Sequence, residues 1–422
     1  MKIITTSSRN AKAQLATLFD RRSLTCERAL PASRRIVNAV RSGGDAALRR
    51  YATRLDHNSP QLPLRISDSE IAAAHASVPP DFKRALEAAA RNIRAFAERQ
   101  RPKEFGFSSV RGMTVGQRVR PLDAVGCYVP GGRYPLPSTL LMTVIPAQVA
   151  GVQRIVVASP NPAPEILAAA AMLGTTEFYR VGGAQAIAAL AYGTETILPV
   201  DKIVGPGNAY VTAAKKLIAF DCAIDMLAGP TEIVVTSENG DPGWIAADLV
   251  AQAEHDPDAL AIFVTTTATL ARTVAAETKR QSQSNPIARE AICRNGLIIV
   301  ARTPDEARQI TNRLAPEHLT VDTDADLAWV RNAGSVFVGP YSAQPLGDYI
   351  SGPNHTLPTA GLARARGGLS VTDFLKVITV QEYRPEGLRA LGPAAISLAE
   401  AEGLQGHAEA IRARLSGLRG AR

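Results

Sequence analysis

The chain has 422 residues, of which 46% are hydrophobic and 20% are charged, and its formal net charge is +8. This length and composition predict a globular protein with two or three packed units. The N-terminus lacks the continuous apolar run of a signal peptide, and no apolar stretch reaches membrane-spanning length. We therefore expect a cytoplasmic protein that contacts no membrane.

The cysteines and the basic residues limit the function further. The cysteines are Cys26, Cys127, Cys222 and Cys293. Their wide spacing indicates neither a disulfide framework nor a cysteine zinc site. Arginine and lysine are spread along the chain, and the densest late group lies on the terminal tail, at Arg412, Arg414, Arg419 and Arg422. We interpret the positive charge as a solvated surface that attracts an anionic cofactor, and nucleic-acid binding stays a weak alternative.

The first part of the chain, up to about residue 120, is predicted to be mostly helical. Residues 33–55 form an amphipathic pattern, and residues 81–100 carry apolar side chains at helical spacing along one face. Pro80 precedes the second segment and Pro102 follows it, which suits a helix that begins and ends there.

From about residue 124, short apolar runs alternate with helical segments. The apolar runs cover residues 124–129, 154–158, 178–181, 202–204, 232–236, 260–265, 297–300 and 335–338. Strands that alternate with helices in this way predict βαβ units, in which helices cover both faces of a parallel sheet.

The predicted fold class is therefore α/β. We expect two Rossmann-like open parallel-sheet units, an N-terminal helical region that packs on the catalytic unit, and a small helical C-terminal tail. The predicted domain bounds are 1–123, 124–231, 232–370 and 371–422.

A polar segment near the middle of the chain ends one of these predicted helices. Asp241 can cap the start of this helix, Pro242 suits its first position, and Pro257 closes it. Gln252 and His255 are three residues apart, so on a helix they share one side and can converge on one point. The segment is either a polar helix end or a ligand-binding corner.

Histidine is scarce in this chain, which has six. Zinc needs three or four nitrogen, oxygen or sulfur ligands, and no thiolate cluster is present. Candidate polar residues for a metal or for acid–base chemistry are Gln252, His255, Glu317, His318, Asp348 and His407. Each one alone is more often a hydrogen-bonded surface residue, and the spacing of such scattered positions does not decide between the two interpretations. The adjacent Glu317 and His318 indicate acid–base chemistry only weakly.

Two glycine-rich turns each follow a predicted strand and open a predicted helix. They contain Gly182 and Gly183, and Gly205 and Gly207. Glycine lets backbone amides approach a ligand closely, and a helix N-terminus favours negative charge. Neither turn has the G-x-G-x-x-G or Walker pattern. The turns therefore suit either an unconventionally bound dinucleotide or no ligand at all.

A series of short motifs occurs in one order along the chain. The first are residues 127–135 (CYVPGGRYP), 181–187 (VGGAQAI), 205–208 (GPGN) and 228–232 (AGPTE). The later ones are residues 251–256 (AQAEHD), 315–319 (APEHL), 347–349 (GDY), 352–355 (GPNH) and 402–404 (EGL), followed by His407. In this combination the chain closely resembles the histidinol dehydrogenase family, from about residue 30 to the C-terminus.

The resemblance implies specific site residues. The positions that hold one zinc ion in the family match Gln252, His255, Asp348 and His407. The acid–base positions match Glu317 and His318. The NAD-contacting positions match Tyr128, Gln185 and Asn208. The substrate-contacting positions match Thr231, His318 and Glu402, together with the four metal ligands. Residues 124–231 would then contact NAD, and residues 232–370 would hold the zinc and the acid–base residues.

The resemblance also implies the reaction and the assembly. L-histidinol would be oxidised to L-histidine through L-histidinaldehyde with two NAD+, as the final step of L-histidine biosynthesis. A homodimer is implied, in which the C-terminal segment with Glu402 and His407 completes the partner's site. One departure is Thr231, where many members have serine; the hydroxyl is kept and a methyl is added. His355 matches a family motif but no ligand position, so we expect a structural role for it.

Two other enzyme functions remain as alternatives. A paralogous zinc-linked NAD dehydrogenase would act on another hydroxymethyl compound, such as a sulfonated diol. A zinc hydrolase would need the metal and Glu317 but no cofactor, and the chain lacks the H-E-x-x-H pattern.

Overall fold

The computed structural model describes residues 1–9, 11–20, 26–131 and 134–418. Two residues of the 127–135 motif, Gly132 and Arg133, and the last arginines, Arg419 and Arg422, lie outside this part of the chain. The described residues pack into two compact units. The first consists of residues 1–100 and 122–374, and the second of residues 101–121 and 375–422.

Strands and helices alternate through most of the first unit, as the sequence predicts. The strands in chain order are β1 (Lys2–Thr5), β2 (Phe105–Val110), β3 (Met113–Pro121), β4 (Ala124–Tyr128), β5 (Arg154–Ala158), β6 (Glu177–Tyr179), β7 (Lys202–Val204), β8 (Ala223–Ile224), β9 (Glu232–Thr236), β10 (Leu260–Thr265), β11 (Leu297–Val300), β12 (His318–Val321), β13 (Ser335–Val338) and β14 (Leu375–Tyr383). The helices are α1 (Ala11–Phe19), α2 (Leu30–Leu55), α3 (Asp68–Ser77), α4 (Pro80–Gln100), α5 (Pro137–Ala150), α6 (Pro164–Met172), α7 (Gly183–Tyr192), α8 (Ala209–Ile218), α9 (Pro242–Ala253), α10 (Ala268–Gln281), α11 (Pro286–Asn295), α12 (Pro304–Leu314), α13 (Pro345–Tyr349), α14 (Pro385–Ala401) and α15 (Gln405–Gly417).

Two parallel sheets form the first unit. Within the described residues, one sheet has the strand order β1-β11-β10-β9-β12-β13, and the other has the order β6-β5-β4-β7-β8. Neighbouring strands in both sheets run parallel. The predicted α/β fold with two open parallel sheets is confirmed. The four predicted domain bounds stay predictions.

The larger sheet is covered on both faces, because successive side chains of a strand point to opposite sides. Ile233 and Val235 of β9 pack into one apolar cluster with residues of α9, α10 and α11. Val234 packs into a second cluster with residues of α12 on the other face. Burial on both faces explains why β9 has a continuous apolar run rather than an alternating one.

The N-terminal region contains features beyond the predicted helices. β1 pairs with β11 and so extends the larger sheet. α2 is kinked at Gly44, where φ is 48°. A Cβ at this position would collide with the Glu195 carboxylate, which accepts a hydrogen bond from the Asp45 backbone N–H at 2.6 Å. Glycine therefore allows Glu195 to cap the second half of the helix.

The second unit contains an antiparallel sheet that the sequence analysis did not predict. Its strand order, among the described residues, is β14-β3-β2. Most of its residues are exposed or half-buried. The helices α14 and α15 follow β14 and form the predicted helical end of the chain. No helix among the residues described here has both the length and the apolar character that crossing a membrane requires.

Candidate functional site

The two predicted acid–base residues lie at the amino end of a central strand. His318 is the first residue of β12, and Glu317 directly precedes it. β12 lies between β9 and β13, so the residues that enter β9, Thr231 and Glu232, are its neighbours in space. α12 ends at Leu314, and the next residue, Ala315, has a left-handed φ of 47°; this sharp turn directs the chain into β12.

The Glu317 carboxylate is buried and held by two donors. Its Oε2 accepts from the Thr231 hydroxyl at 2.6 Å and from the Glu232 backbone N–H at 2.8 Å. Burial raises the pKa of Glu317, and these hydrogen bonds together with the charge of His318 oppose the rise only in part. The group therefore binds a proton more readily than an exposed glutamate does.

The His318 ring is fixed from one side. Its Nδ1 lies 3.1 Å from the Glu232 carbonyl oxygen, which can only accept, so Nδ1 carries the hydrogen. Its Nε2 lies 3.7 Å from Oδ1 of Asp348. Burial alone would lower the pKa of His318, but the carboxylates of Glu317 and Asp348 outweigh it and raise the pKa. The same contacts lower the pKa of Asp348, although its burial acts in the opposite direction.

Gln252 is joined to the acid–base pair through Thr231. Its Nε2 donates to the Thr231 hydroxyl oxygen, and that hydroxyl donates to Glu317. Oε1 of Gln252 is buried and has no hydrogen-bond partner among the described residues. A buried carbonyl oxygen without a hydrogen-bond partner lowers the stability of the folded protein, unless a ligand donates a hydrogen bond to it or a metal ion binds it. Gln252 therefore presents a free acceptor to the site.

His255 lies just beyond the helix that carries Gln252. Asp241 caps α9, as predicted, by accepting from the N–H groups of Gly243 and Trp244. The helix ends at Ala253, so His255 is in the following turn and is exposed. The charge of His255 contributes to a lowered pKa of His355, for which burial is the main cause. His255 is therefore close enough to this cluster to act on it electrostatically.

Asp348 is held on its other side by residues that the sequence analysis did not single out. Gln344 is buried, and its Nε2 donates to Oδ2 of Asp348 at 2.9 Å. The Asp248 carboxylate accepts from the backbone N–H of Gln344, and burial raises the pKa of Asp248 to about 6. His355 is half-buried, and its Nδ1 donates to the Asp348 carbonyl oxygen at 2.8 Å. These contacts suit the structural role expected for His355.

The side chains predicted to bind zinc together with Asp348 are of chemical types that bind metal ions. In the described part of the chain, no three His, Cys, Asp or Glu side chains form a metal cluster. The first unit contributes only two such side chains to the predicted ligand set, His255 and Asp348, and the third donor is the amide oxygen of Gln252. Carboxylate, imidazole and amide oxygen are ligands that zinc accepts, and the unpartnered Oε1 of Gln252 suits this use.

Glu402 and His407 lie on the second unit. Glu402 follows the last residue of α14, and Gly403, with φ of 75°, turns the chain towards α15. His407 lies in the first turn of α15. Both side chains are exposed on this unit.

The three predicted cofactor residues lie at the carboxyl edge of the smaller sheet. Tyr128 ends β4, and its hydroxyl oxygen accepts from the Gly183 N–H at 3.1 Å. Gln185 lies in the first turn of α7 and is fully buried. Asn208 caps α8, where its Oδ1 accepts from two backbone N–H groups. Ligands of open α/β sheets bind at this edge.

The N-terminus of α7 is already capped by a carboxylate. Asp56 accepts from the Gly182 N–H at 3.0 Å and from Nε2 of Gln185 at 3.1 Å. Burial raises the pKa of Asp56, and these two donors oppose the rise. The glycine-rich turns open α7 and α8, and an anionic ligand could have bound at the N-termini of these helices. Asp56 caps α7 and Asn208 caps α8, so protein side chains already accept hydrogen bonds there.

Comparisons with known proteins decide the family. The family model described as histidinol dehydrogenase matches residues 19–415. A histidinol dehydrogenase from Gluconobacter oxydans is 46% identical, over 98% of this chain and 99% of that protein. One from Methanothermobacter thermautotrophicus is 47% identical, over 95% of this chain and 97% of that protein. The chain belongs to the histidinol dehydrogenase family. The crystal structure of histidinol dehydrogenase from Elizabethkingia anophelis has a TM-score of 0.93 at 36% identity and covers 99% of both chains.

Membership of the histidinol dehydrogenase family makes this chain an oxidoreductase of amino-acid biosynthesis, and it does not favour the sulfonated-diol alternative.

The structure adds residues to the candidate site that the sequence analysis did not identify. They are Asp56, Glu232, Asp248 and Gln344. The sequence around these residues shows no pattern that marks them as site residues. Their role becomes visible only through the side chains that they contact in the folded protein. Thr231, the departure noted above, keeps both hydrogen bonds of its hydroxyl, to Gln252 and to Glu317.

Proposed function

We propose that this chain oxidises L-histidinol to L-histidine through L-histidinaldehyde, with reduction of two NAD+, as the final step of L-histidine biosynthesis. The observation that carries the proposal is the buried pair of Glu317 and His318, linked through Thr231 to the amide nitrogen of Gln252, whose amide oxygen has no partner among the described residues. A carboxylate and an imidazole beside nitrogen and oxygen donors suit the removal of protons from an alcohol and from an aldehyde hydrate. Family membership supports the substrate.

His318 is the proposed base for both oxidation steps. Its Nδ1–H is committed to the Glu232 carbonyl oxygen, so Nε2 is the nitrogen that takes the proton of the substrate hydroxyl. The Asp348 carboxylate, 3.7 Å from Nε2, favours the protonated ring that results. NAD+, if bound at Tyr128, Gln185 and Asn208, would supply the acceptor for the hydride of the hydroxyl-bearing carbon.

Glu317 is the proposed base that activates water between the two steps. Thr231 and the Glu232 N–H both donate to Oε2, which fixes the carboxylate and leaves Oε1 to accept a proton from water. Hydroxide adds to the aldehyde carbon, and the proton that His318 took in the first step goes to the aldehyde oxygen, which returns His318 to its neutral form. His318 then removes the hydroxyl proton of the hydrate as the second hydride leaves. Retention of the aldehyde on the protein keeps it from side reactions.

We propose one zinc ion per subunit, with Gln252, His255, Asp348 and His407 as ligands. Gln344 supports this use of Asp348, because it holds Oδ2 and leaves Oδ1 for a metal. When bound, zinc would orient the substrate through its amine and imidazole nitrogens. The proposed substrate contacts are Thr231, Gln252, His255, His318, Asp348, Glu402 and His407, and the proposed NAD contacts are Tyr128, Gln185 and Asn208.

We further propose a homodimer in which Glu402 and His407 of one chain complete the site of its partner. Mixed dimers of a Glu317→Gln chain and a His407→Asn chain should then recover activity. One of the two sites would have both an intact Glu317 and an intact His407. Each variant alone should be nearly inactive. Verified mixed dimers without activity would contradict donation across the dimer.

A cytoplasmic location of the protein stays a prediction.

The reaction itself is tested by an end-point assay. Limiting L-histidinol with excess NAD+ should be converted to L-histidine, and a sulfonated diol should not be oxidised at comparable efficiency. A chain that oxidises the diol and leaves L-histidinol unchanged would overturn the proposal. A chain that hydrolyses a substrate without any NAD+ requirement, and leaves L-histidinol unchanged, would indicate a zinc hydrolase instead.

A further inference from the structure

Asp56 reaches the proposed cofactor site from a distant part of the sequence. It follows the last residue of α2, and it is 8% exposed. The loop that carries it is fixed to the smaller sheet, because Nδ2 of Asn58 donates to the Arg180 carbonyl oxygen at 2.7 Å. Asn161 also donates to the backbone carbonyl of Asp56. The carboxylate therefore has a defined position at the start of α7.

The contact between Asp56 and Gln185 fixes the orientation of the Gln185 amide. An ionised carboxylate only accepts hydrogen bonds, so the amide must turn its NH₂ group towards Asp56. Nε2 lies 3.2 Å and 3.1 Å from the two carboxylate oxygens. Oε1 consequently points away from Asp56. It has no hydrogen-bond partner among the described residues, although it is buried.

The free oxygen lies over the glycine turn that begins α7. A Cβ added to Gly183 would come within 2.8 Å of Oε1, and Gly183 has a φ of 60°. The Tyr128 hydroxyl accepts from the N–H of this same glycine. Oε1 of Gln185 and the Tyr128 hydroxyl thus both lie next to Gly183. A buried acceptor at this place calls for a donor from a ligand.

We propose that Asp56 is a positioning residue that locks the Gln185 amide, so that Oε1 accepts a hydrogen bond from a hydroxyl or amide donor of the nicotinamide nucleotide. The inference rests on the proposed function, since it needs the nucleotide to bind at Gln185. In the Asp56→Asn variant, the new side-chain NH₂ faces Gln185 and favours the flipped amide. The flipped amide presents a donor where the nucleotide needs an acceptor. One buried hydrogen bond is then lost, and NADH affinity should fall by about ten-fold or more.

A double variant restores the lost acceptor. In Asp56→Asn/Gln185→Glu, one glutamate oxygen accepts from the new NH₂ group and the other occupies the place of Oε1. The pair keeps one negative charge and nearly the same shape. Affinity for NADH should return to within about three-fold of the wild-type value. A purely structural role for Asp56 would change thermal stability and leave the affinity of the folded protein unchanged.

The experiment measures NADH binding to the full chain by titration calorimetry, together with melting temperature and steady-state kinetics. Asp45→Asn serves as the matched control, because Asp45 lies on α2, the helix that Asp56 follows, and also holds a neighbouring segment, through Thr196. We expect weaker NADH binding and a higher KM for NAD+ in Asp56→Asn, with kcat nearly unchanged, and no change in the control.

The outcomes separate this inference from the proposed function. Wild-type protein that does not bind NADH would overturn the cofactor assignment. Wild-type protein that binds NADH, with equal binding by folded Asp56→Asn, would overturn only the role of Asp56. If Asp56→Asn does not fold, the double variant decides. Restored affinity supports the inference, and a folded double variant with weak affinity contradicts it.

Discussion

Replacement of Glu317 by glutamine should stop oxidation at the aldehyde. The glutamine oxygen can still accept from Thr231 and from the Glu232 N–H, so the geometry around it should be kept. The amide cannot take a proton from water, and conversion to L-histidine should slow by about 10²- to 10⁴-fold. Rapid-quench analysis should find one NADH formed per site, together with trapped L-histidinaldehyde.

A second carboxylate of the same sheet provides the control. Glu238 follows β9 at the opposite edge and accepts from the Thr266 N–H at 3.0 Å. Glu238→Gln should leave the turnover rate close to that of the wild type. If Glu317→Gln produced L-histidine at the wild-type rate, the proposed role of Glu317 in activating water would be wrong.

Removal of the metal should have a comparably large effect. We expect thorough chelation to reduce turnover by on the order of 10²-fold or more, because the substrate would lose its orientation, and zinc should restore it. His255→Ala should bind zinc at least about ten-fold less tightly. Elemental analysis should find about one zinc per wild-type subunit.

The matched control for the metal site is His75→Ala. His75 lies on α3, outside the proposed ligand set, so its replacement should leave the zinc content unchanged. Full activity in protein shown to be free of metal would contradict the zinc assignment. Full zinc content in His255→Ala would remove His255 from the ligand set.

The sequence predicted the parallel sheets well, because their strands are buried on both faces. The predicted run 232–236 has the bounds of β9, and 260–265 has those of β10. The antiparallel strands β2, β3 and β14 were not predicted. Their residues are largely exposed, so no buried face imposes a clear alternation of apolar and polar residues.

β12 was missed for a different reason. It has four residues, starts two positions after Pro316 and begins with a histidine. A short strand with a polar first residue gives a weak pattern, although it lies inside the larger sheet, between β9 and the edge strand β13. The acid–base pair therefore lies where sequence periodicity is least informative.

The candidate site could be predicted only as separate residues. Thr231 and Glu317 are 86 positions apart, and their contact depends on the pairing of β9 with β12. Neither composition nor spacing specifies that strand order. Among the residues that the family resemblance named, those that contact one another are Thr231, Gln252, Glu317, His318 and Asp348. The resemblance did not indicate Asp56 or Gln344, whose roles depend on the side chains that they hold.

The two groups of predicted site residues lie at different kinds of sheet edge. Of the predicted cofactor residues, Tyr128 ends β4, while Gln185 and Asn208 follow the carboxyl ends of β6 and β7, in agreement with the general rule for open α/β sheets. Glu317 and Thr231 instead precede the amino ends of β12 and β9. The larger sheet thus brings Thr231 and Glu317 together through the pairing of β9 with β12.

The proposed four-electron oxidation is tested most directly by the number of NADH molecules formed per L-histidinol consumed. Limiting L-histidinol should yield two NADH, with L-histidine as the sole product and no aldehyde in solution. A yield of one NADH with released aldehyde would contradict the account, as would oxidation that needs no NAD+.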